Sequence, residues 1–229
     1  MSASKSNLMK AVLFDFDGTL ADTMQKHLVA WQKALSQYHI NISTHDYFPY
    51  EGMGMRELAV KFTQKLLLTE TQIDGLVEEK KRIFKSQNQE IKFYNGVFDF
   101  LNKLAEKNIK IGIVTAGHMD QLVGTVGDEF LSLFDVIVTG DIVLKNKPYP
   151  DPYLRGAEKI QVNPDECIVV ENAPMGIQAA KAARMYCIAI ESTLPLVTLS
   201  LADEIVSDFS ALGNTKAFSR ILKGNLTNA

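Results

Sequence analysis

The sequence has no run approaching the ~20 consecutive apolar residues that a membrane-spanning helix needs, and no apolar signal segment stands ahead of its first strand-like run. No membrane partner is expected, and the cytoplasm is the expected location. Cysteine is scarce. Cys167 and Cys187 are the only two, both inside apolar runs, and they read as buried reduced thiols rather than a disulfide framework. Positive charge is not in surplus either. With 24 Lys+Arg against 27 Asp+Glu the formal net charge is −3, which argues against the broad basic face that nucleic acid requires. A small anion is still compatible, because a few local cations and helix N-termini suffice to hold one. Internal repeats and low-complexity segments are absent as well. The remaining frame is 229 residues with 46% hydrophobic content, enough for one large domain or a core with a smaller insertion. Residues 1–7 are polar and expected to be disordered, and residues 224–229 to fray.

What is present is organised around Ala11-Val12-Leu13-Phe14-Asp15-Phe16-Asp17-Gly18-Thr19-Leu20-Ala21-Asp22-Thr23. The wholly apolar start predicts a strand buried on both faces, as in a parallel sheet. Two carboxylates on alternate residues follow, then a glycine suited to a tight turn and a threonine hydroxyl. Beyond Asp22, Met24, Leu28, Trp31, Leu35 and Tyr38 recur at helical spacing, with Asp22 or Thr23 as N-cap. Residues 41–55 read as a loop, and helices are expected over 56–68 and 70–90. Within the second, Lys80, Lys81 and Arg82 read as a solvated face.

No strand-like run occurs between 22 and about 92, so this block is read as a helical cap inserted into an α/β chain. The expected domains are residues 1–21 with 93–229 as the core, and 22–92 as the cap. From 97 the alternation returns. Val97, Leu101, Leu104 and Ala105 mark a helix face, and a helix is expected over 118–130. Strands are expected at 109–115, 134–139, 167–170, 186–190 and 204–206. Two further helices are expected over 152–160, with Asp151 as N-cap, and 174–183. The pattern predicts a doubly wound parallel sheet.

In such a sheet the strand ends share one edge, so Asp15, Asp17, Thr115, Lys147, Glu171 and Asn172 converge. Acids, a hydroxyl and a cation together suit phosphate chemistry with a divalent metal. A carboxylate can attack phosphorus and form an acyl-phosphate. A second carboxyl group can protonate the leaving oxygen, and a hard cation such as Mg2+ can relieve the repulsion between carboxylate and phosphate.

These motifs, in this order and spacing over roughly residues 10–192, resemble those of the haloacid dehalogenase superfamily on its phosphatase side. The first is Asp15-Phe16-Asp17-Gly18-Thr19-Leu20, and the third is Lys147-Pro148-Tyr149-Pro150-Asp151-Pro152. The resemblance implies a Rossmann-like core with a helical cap. It implies Asp15 as nucleophile, Asp17 as acid–base, and Thr115, Ala116 and Lys147 as phosphate ligands. Mg2+ would rest on Asp15, the Asp17 backbone carbonyl, and Glu171 with Asn172.

Two positions depart from the family pattern. Relatives often carry a second acid where Asn172 stands, and Asn172 reads equally as an amide ligand or as an N-cap for the helix at Pro174. Arg184 stands where relatives often have a glycine, and reads as structural, its charge suiting the helix dipole. The cap is similar to that of the β-phosphoglucomutase group, which implies substrate-facing roles for His27 and Arg56, while Trp31 reads as core. His118, just beyond Thr115, is a candidate substrate contact.

The leading expectation is a Mg2+-dependent, monomeric phosphatase for a small phosphorylated metabolite such as a sugar phosphate or phosphoglycolate. A sugar-phosphate mutase, a 2-haloacid dehalogenase and a non-catalytic binding protein are the alternatives.

Overall fold

Six parallel strands carry the fold: β1 (Ala11–Phe14), β2 (Lys110–Val114), β3 (Val136–Val138), β4 (Cys167–Glu171), β5 (Tyr186–Ile190) and β6 (Glu204–Val206). Their order across the sheet is β3-β2-β1-β4-β5-β6. The computed structural model describes residues 9–87 and 90–223, so both expected disordered ends lie outside the described residues. The chain builds β2 and β3 on one side of β1, then crosses to β4 on the other. That reversal puts the carboxyl end of β1 at the crevice where open α/β sheets bind ligands. Its continuous apolar run has a simple cause. Val12 and Phe14 enter the cluster on one face, Ala11 and Leu13 the cluster on the other, and all four are fully buried.

After β1 come α1 (Met24–Leu35), α2 (Thr44–Tyr47), α3 (Met55–Phe62) and α4 (Glu70–Ser86). They close on an apolar cluster of their own that includes Leu28, Trp31, Leu58, Leu76 and Phe84, separate from the two sheet clusters. The expected loop over 41–55 instead contains α2 and a 3-10 turn, Phe48–Tyr50. The Asp46 carboxylate accepts from the Ser43 N–H at 2.8 Å, which starts α2 and turns Tyr47 into the cluster. The next two expected helices are shorter than the pattern suggested, α3 ending at Phe62 and α4 at Ser86.

In the second half, α5 (Val97–Glu106), α6 (Met119–Leu131), α7 (Asp151–Lys159) and α8 (Pro174–Ala182) alternate with the strands. α6 is broken at Gly127, whose φ of 74° is not helical. α7 includes Asp151, with Pro150 ahead of it, so Asp151 is the first helical residue rather than the cap. Arg184 takes the left-handed conformation (φ 60°) usually left to glycine, and its N–H and that of Met185 close the end of α8 on Lys181 and Ala180. The C-terminal α9 (Phe209–Leu212) and α10 (Lys216–Lys223) had no expectation. Phe209 and Phe218 of these helices edge onto Phe100 under the sheet. Cys167 and Cys187 are free and buried, and no helix among the described residues is long and apolar enough to cross a membrane.

Candidate active site

The Asp15 N–H donates to Val170 O at 3.0 Å, which extends β1 by one residue and fixes Asp15 between the ends of β2 and β4. The chain then turns sharply. Thr19, Leu20 and Ala21 all donate to Phe16 O, and Gly18 adopts φ 85° where any side chain would strike the Asn172 amide. Asp15 and Asp17 are thereby held at the mouth of the sheet.

Lys147 enters from the loop after β3. Its Nζ donates to Asp15 Oδ1 (2.6 Å), Glu171 Oε1 (2.6 Å) and Val114 O (3.0 Å), with the ammonium fully buried. Burial works against the charged amine, but the two carboxylates outweigh it and raise its pKa. Asp15 feels the opposite balance. Burial pushes its carboxyl up to about 7 although Lys147 pulls it down.

Glu171 also accepts from Tyr153 OH (2.8 Å) and the N–H groups of Asn172 (2.9 Å) and Ala173 (3.2 Å). Both of its oxygens are thus engaged in orienting Lys147 and the start of α8.

On the other side, Asp17 Oδ1 accepts from Thr23 Oγ1 (2.6 Å) and lies 2.9 Å from His27 Nε2. Thr23 stands at the N-cap position of α1 but makes no side-chain cap bond, its hydroxyl being given to Asp17. His27 Nδ1 in turn lies 2.9 Å from Lys80 Nζ, and the ring stacks on Phe84 with centroids 4.3 Å apart. Lys80 is therefore not part of a solvated face. It is buried on the apolar stripe of α4, at helical steps from Ile73, Leu76 and Val77 on one side and Ile83 and Phe84 on the other. Burial lowers Lys80 to about 7 against the pull of Asp17, and burial together with Lys80 lowers His27. For Asp17 burial acts upward, but His27, Thr23 and Lys80 overcome it and bring the carboxyl down to about 2. Among the described residues Asp17 Oδ2 is met by one long contact, Thr115 Oγ1 at 3.5 Å, and Thr115 Oγ1 itself accepts from the Gly117 N–H.

Asp15, Asp17, His27, Lys80, Thr115 and Ala116 line one cavity of about 40 Å3, closed over by Trp31, Tyr47, Met53, Met55 and Leu58 of the inserted helices and loop. Arg56 and His118 do not line it. They face a second cavity of about 320 Å3 with Lys81 and Asn146, and the Arg56 guanidinium is paired with Glu70 and Asp74. Arg56 thus lies on the exposed flank of α4, apart from the cavity at Asp15 and Asp17.

Asn172 does not cap α8, whose N-cap position is Ala173. Its Oδ1 accepts from Thr19 Oγ1 (3.0 Å), and its Nδ2 donates to Glu51 Oε2 (2.7 Å) and Thr193 Oγ1 (2.9 Å). Glu51, on the loop before α3, is a site residue that no sequence pattern marked. Burial pushes its carboxyl up to about 8, against the hydrogen bonds from Thr193 and Asn172. Its Oε1 is buried without a hydrogen-bond partner among the described residues.

Among the described residues no three acidic, histidine or cysteine side chains stand ready around one point as metal ligands. The donors that do gather here include carboxylate and amide oxygens, with one buried carboxylate oxygen bare. That chemistry suits a hard, oxygen-preferring divalent cation.

The model of the family described as "Haloacid dehalogenase-like hydrolase" matches residues 12–190. Validoxylamine A 7'-phosphate phosphatase of Streptomyces hygroscopicus subsp. limoneus is 27% identical over 213 residues, covering 89% of this chain and 95% of the relative. β-Phosphoglucomutase of Bacillus subtilis is 26% identical over 210 residues, covering 88% and 92%. A solved structure of β-phosphoglucomutase from Clostridium difficile superimposes with a TM-score of 0.84 at 25% identity, covering 96% of this chain and all of that one. A sheet ordered about β1, a motif-bearing turn after it and a match running from β1 to β5 agree in one conclusion: the chain belongs to the haloacid dehalogenase-like hydrolases.

Proposed function

We propose that the protein is a Mg2+-dependent phosphatase acting on a small phosphorylated metabolite through a phosphoryl group carried on Asp15. The observation that carries this reading is the division of labour between the two aspartates. Lys147 holds Asp15 at one oxygen, while a separate chain of Thr23, His27 and Lys80 holds Asp17. Two carboxylates two residues apart thus have unlike surroundings, as a nucleophile and an acid–base group require.

Asp15 attacks phosphorus and expels the substrate oxygen, splitting one displacement into two easier ones. Lys147 keeps Asp15 oriented and meets charge on the phosphoryl oxygens, with Thr115 and the backbone at Ala116 as further donors. Asp17 is ionised at rest. A phosphate dianion beside it raises its pKa, so substrate itself favours the protonated acid that the leaving oxygen needs. Asp17 Oδ2 is the oxygen free to carry that proton. In the second step Asp17 takes a proton from water as it attacks the Asp15-bound phosphoryl group. Mg2+, held by Asp15, Asn172 Oδ1 and the Asp17 carbonyl, would offset the repulsion between carboxylate and phosphate.

A cavity of about 40 Å3 has room for roughly one or two waters. Substrate entry therefore requires the inserted helices to move as a cap, and their apolar contacts exclude bulk water once closed. A mutase needs a fixed cation for a second phosphate. Arg56, the cap arginine that would serve, is engaged by Glu70 and Asp74, which favours hydrolysis. The test is phosphate release from a panel of sugar phosphates and phosphoglycolate, with Mg2+ and with chelator, alongside conversion of β-glucose 1-phosphate to glucose 6-phosphate. Metal-dependent phosphate release without isomerised product is the expected result. Isomerisation without release would replace this reading with the mutase.

A further inference from the structure

The cation site in this chain lacks one carboxylate at position 172, and another carboxylate is delivered to the same spot from the inserted loop. Glu51 is 1% exposed, and its Oε2 is held by Asn172 Nδ2 (2.7 Å) and Thr193 Oγ1 (2.8 Å). Those two bonds fix the carboxylate group in one orientation and leave Oε1 buried and bare among the described residues. A buried acceptor with no donor is costly, and more so when it carries charge, so such an atom calls for a partner.

The loop that carries Glu51 is itself seated on the core. Gly52 adopts φ 81° and lies over the Lys147 side chain, where a Cβ would come within 3.1 Å of Lys147 Cδ. Met53 pairs with the Lys147 backbone. Glu51 is bonded to Asn172, and the neighbouring Glu171 shares the Lys147 ammonium with Asp15. A divalent cation would balance the charge that remains.

Resting on the Mg2+ reading above, we propose that Glu51 is a ligand of the same divalent cation, contributed by the cap and replacing the charge that Asn172 lacks. Cation binding and seating of the 51–54 loop are then linked, each strengthening the other by the same factor. A chain with an acid at position 172 would hold its cation on the core alone. This one completes the site only when the cap is down.

The test is isothermal titration of the full chain with Mg2+ and Mn2+ in the absence of substrate, for wild type, Glu51→Gln and Glu51→Gln/Asn172→Asp. Hydrogen exchange of residues 51–54 is followed with and without metal. Wild type is expected to bind, Glu51→Gln to bind at least tenfold more weakly, and the double variant to recover most of the loss. Metal is expected to slow exchange at 51–54 in wild type and to leave it unchanged in Glu51→Gln. Thermal melting in chelator serves as the folding control, a cooperative transition showing that Glu51→Gln is folded.

Equal metal affinity in wild type and a folded Glu51→Gln would overturn the assignment of Glu51 while leaving the metal reading intact. Failure of wild type to bind either cation would overturn the metal reading itself. Failure of Asn172→Asp to rescue Glu51→Gln would overturn the claim that one carboxylate replaces the other.

Discussion

Replacing Lys80 by Met separates function from stability at one buried position. Lys80 donates to His27, and His27 bridges it to Asp17, at 2.9 Å in each step. Losing a hydrogen bond to a charged group is worth about 1.5–3 kcal/mol. At about 1.4 kcal/mol per factor of ten, Asp17 held only by Thr23 and a loosened ring should turn over roughly 10–100-fold more slowly. Stability should move the other way. A buried ammonium costs desolvation, and a methionine of similar length keeps the contacts with Trp31, Met55 and Phe84, so melting at pH 7 should be unchanged or higher.

The pH dependence gives a second readout. Burial sets Lys80 at about 7 in the fold against an ordinary value of 10.5. The folded chain therefore binds fewer protons than the unfolded chain between those values, and stability should rise with pH across that window. Lys80→Met should remove that part of the rise. The assays are steady-state phosphate release and urea denaturation at pH 7 and pH 9.5. A variant that kept kcat within twofold of wild type would refute the relay from Lys80 to Asp17. Activity and stability lost in parallel would show Lys80 to be merely structural.

Other perturbations discriminate the remaining roles. Asp15→Asn should abolish turnover with the melting temperature nearly kept, since the amide preserves shape but not nucleophilicity, and phosphate release with circular dichroism checks both. Asp17→Asn should lower kcat by about 10²–10⁴ while substrate binding, measured by titration, is largely retained. Arg56→Ala should leave kcat/KM for phosphate release within about threefold, because exposed pairs such as those with Glu70 and Asp74 contribute only ~0–1 kcal/mol; a loss above tenfold would restore Arg56 to the substrate site.

The doubly wound sheet was legible because β1, β4 and β5 are short apolar runs bounded by turn residues, and the ends of β1 and β4 announce Asp15, Asp17 and Glu171. What escaped reading shares a physical cause: the partners lie far apart in sequence. Lys80 sits between Lys81 and a glutamate in a charged helix, and only its register with Ile73, Leu76, Val77, Ile83 and Phe84 marks it as buried. Taken by composition, Lys80-Lys81-Arg82 is a solvent face. Taken by period, Lys80 alone falls on the apolar stripe.

Glu51 carried no such signal, since a lone acid in a loop acquires meaning only from Asn172, 121 positions away. Thr23 was placed at the correct turn but with the wrong duty, capping by propensity being overridden by an acceptor on Asp17. Helix boundaries drifted at Phe62 and Ser86, where the apolar or charged pattern runs on past the last helical residue.

The central claim is that Asp15 carries the phosphoryl group, and trapping tests it most directly. Enzyme with substrate and Mg2+ would be quenched with hydroxylamine during turnover, which converts an acyl-phosphate to a hydroxamate, and the peptide spanning residues 11–26 read by mass spectrometry. The account predicts hydroxamate at Asp15, dependent on substrate and absent from Asp15→Asn. Phosphate release that proceeds at full rate with Asp15 unmodified would contradict it.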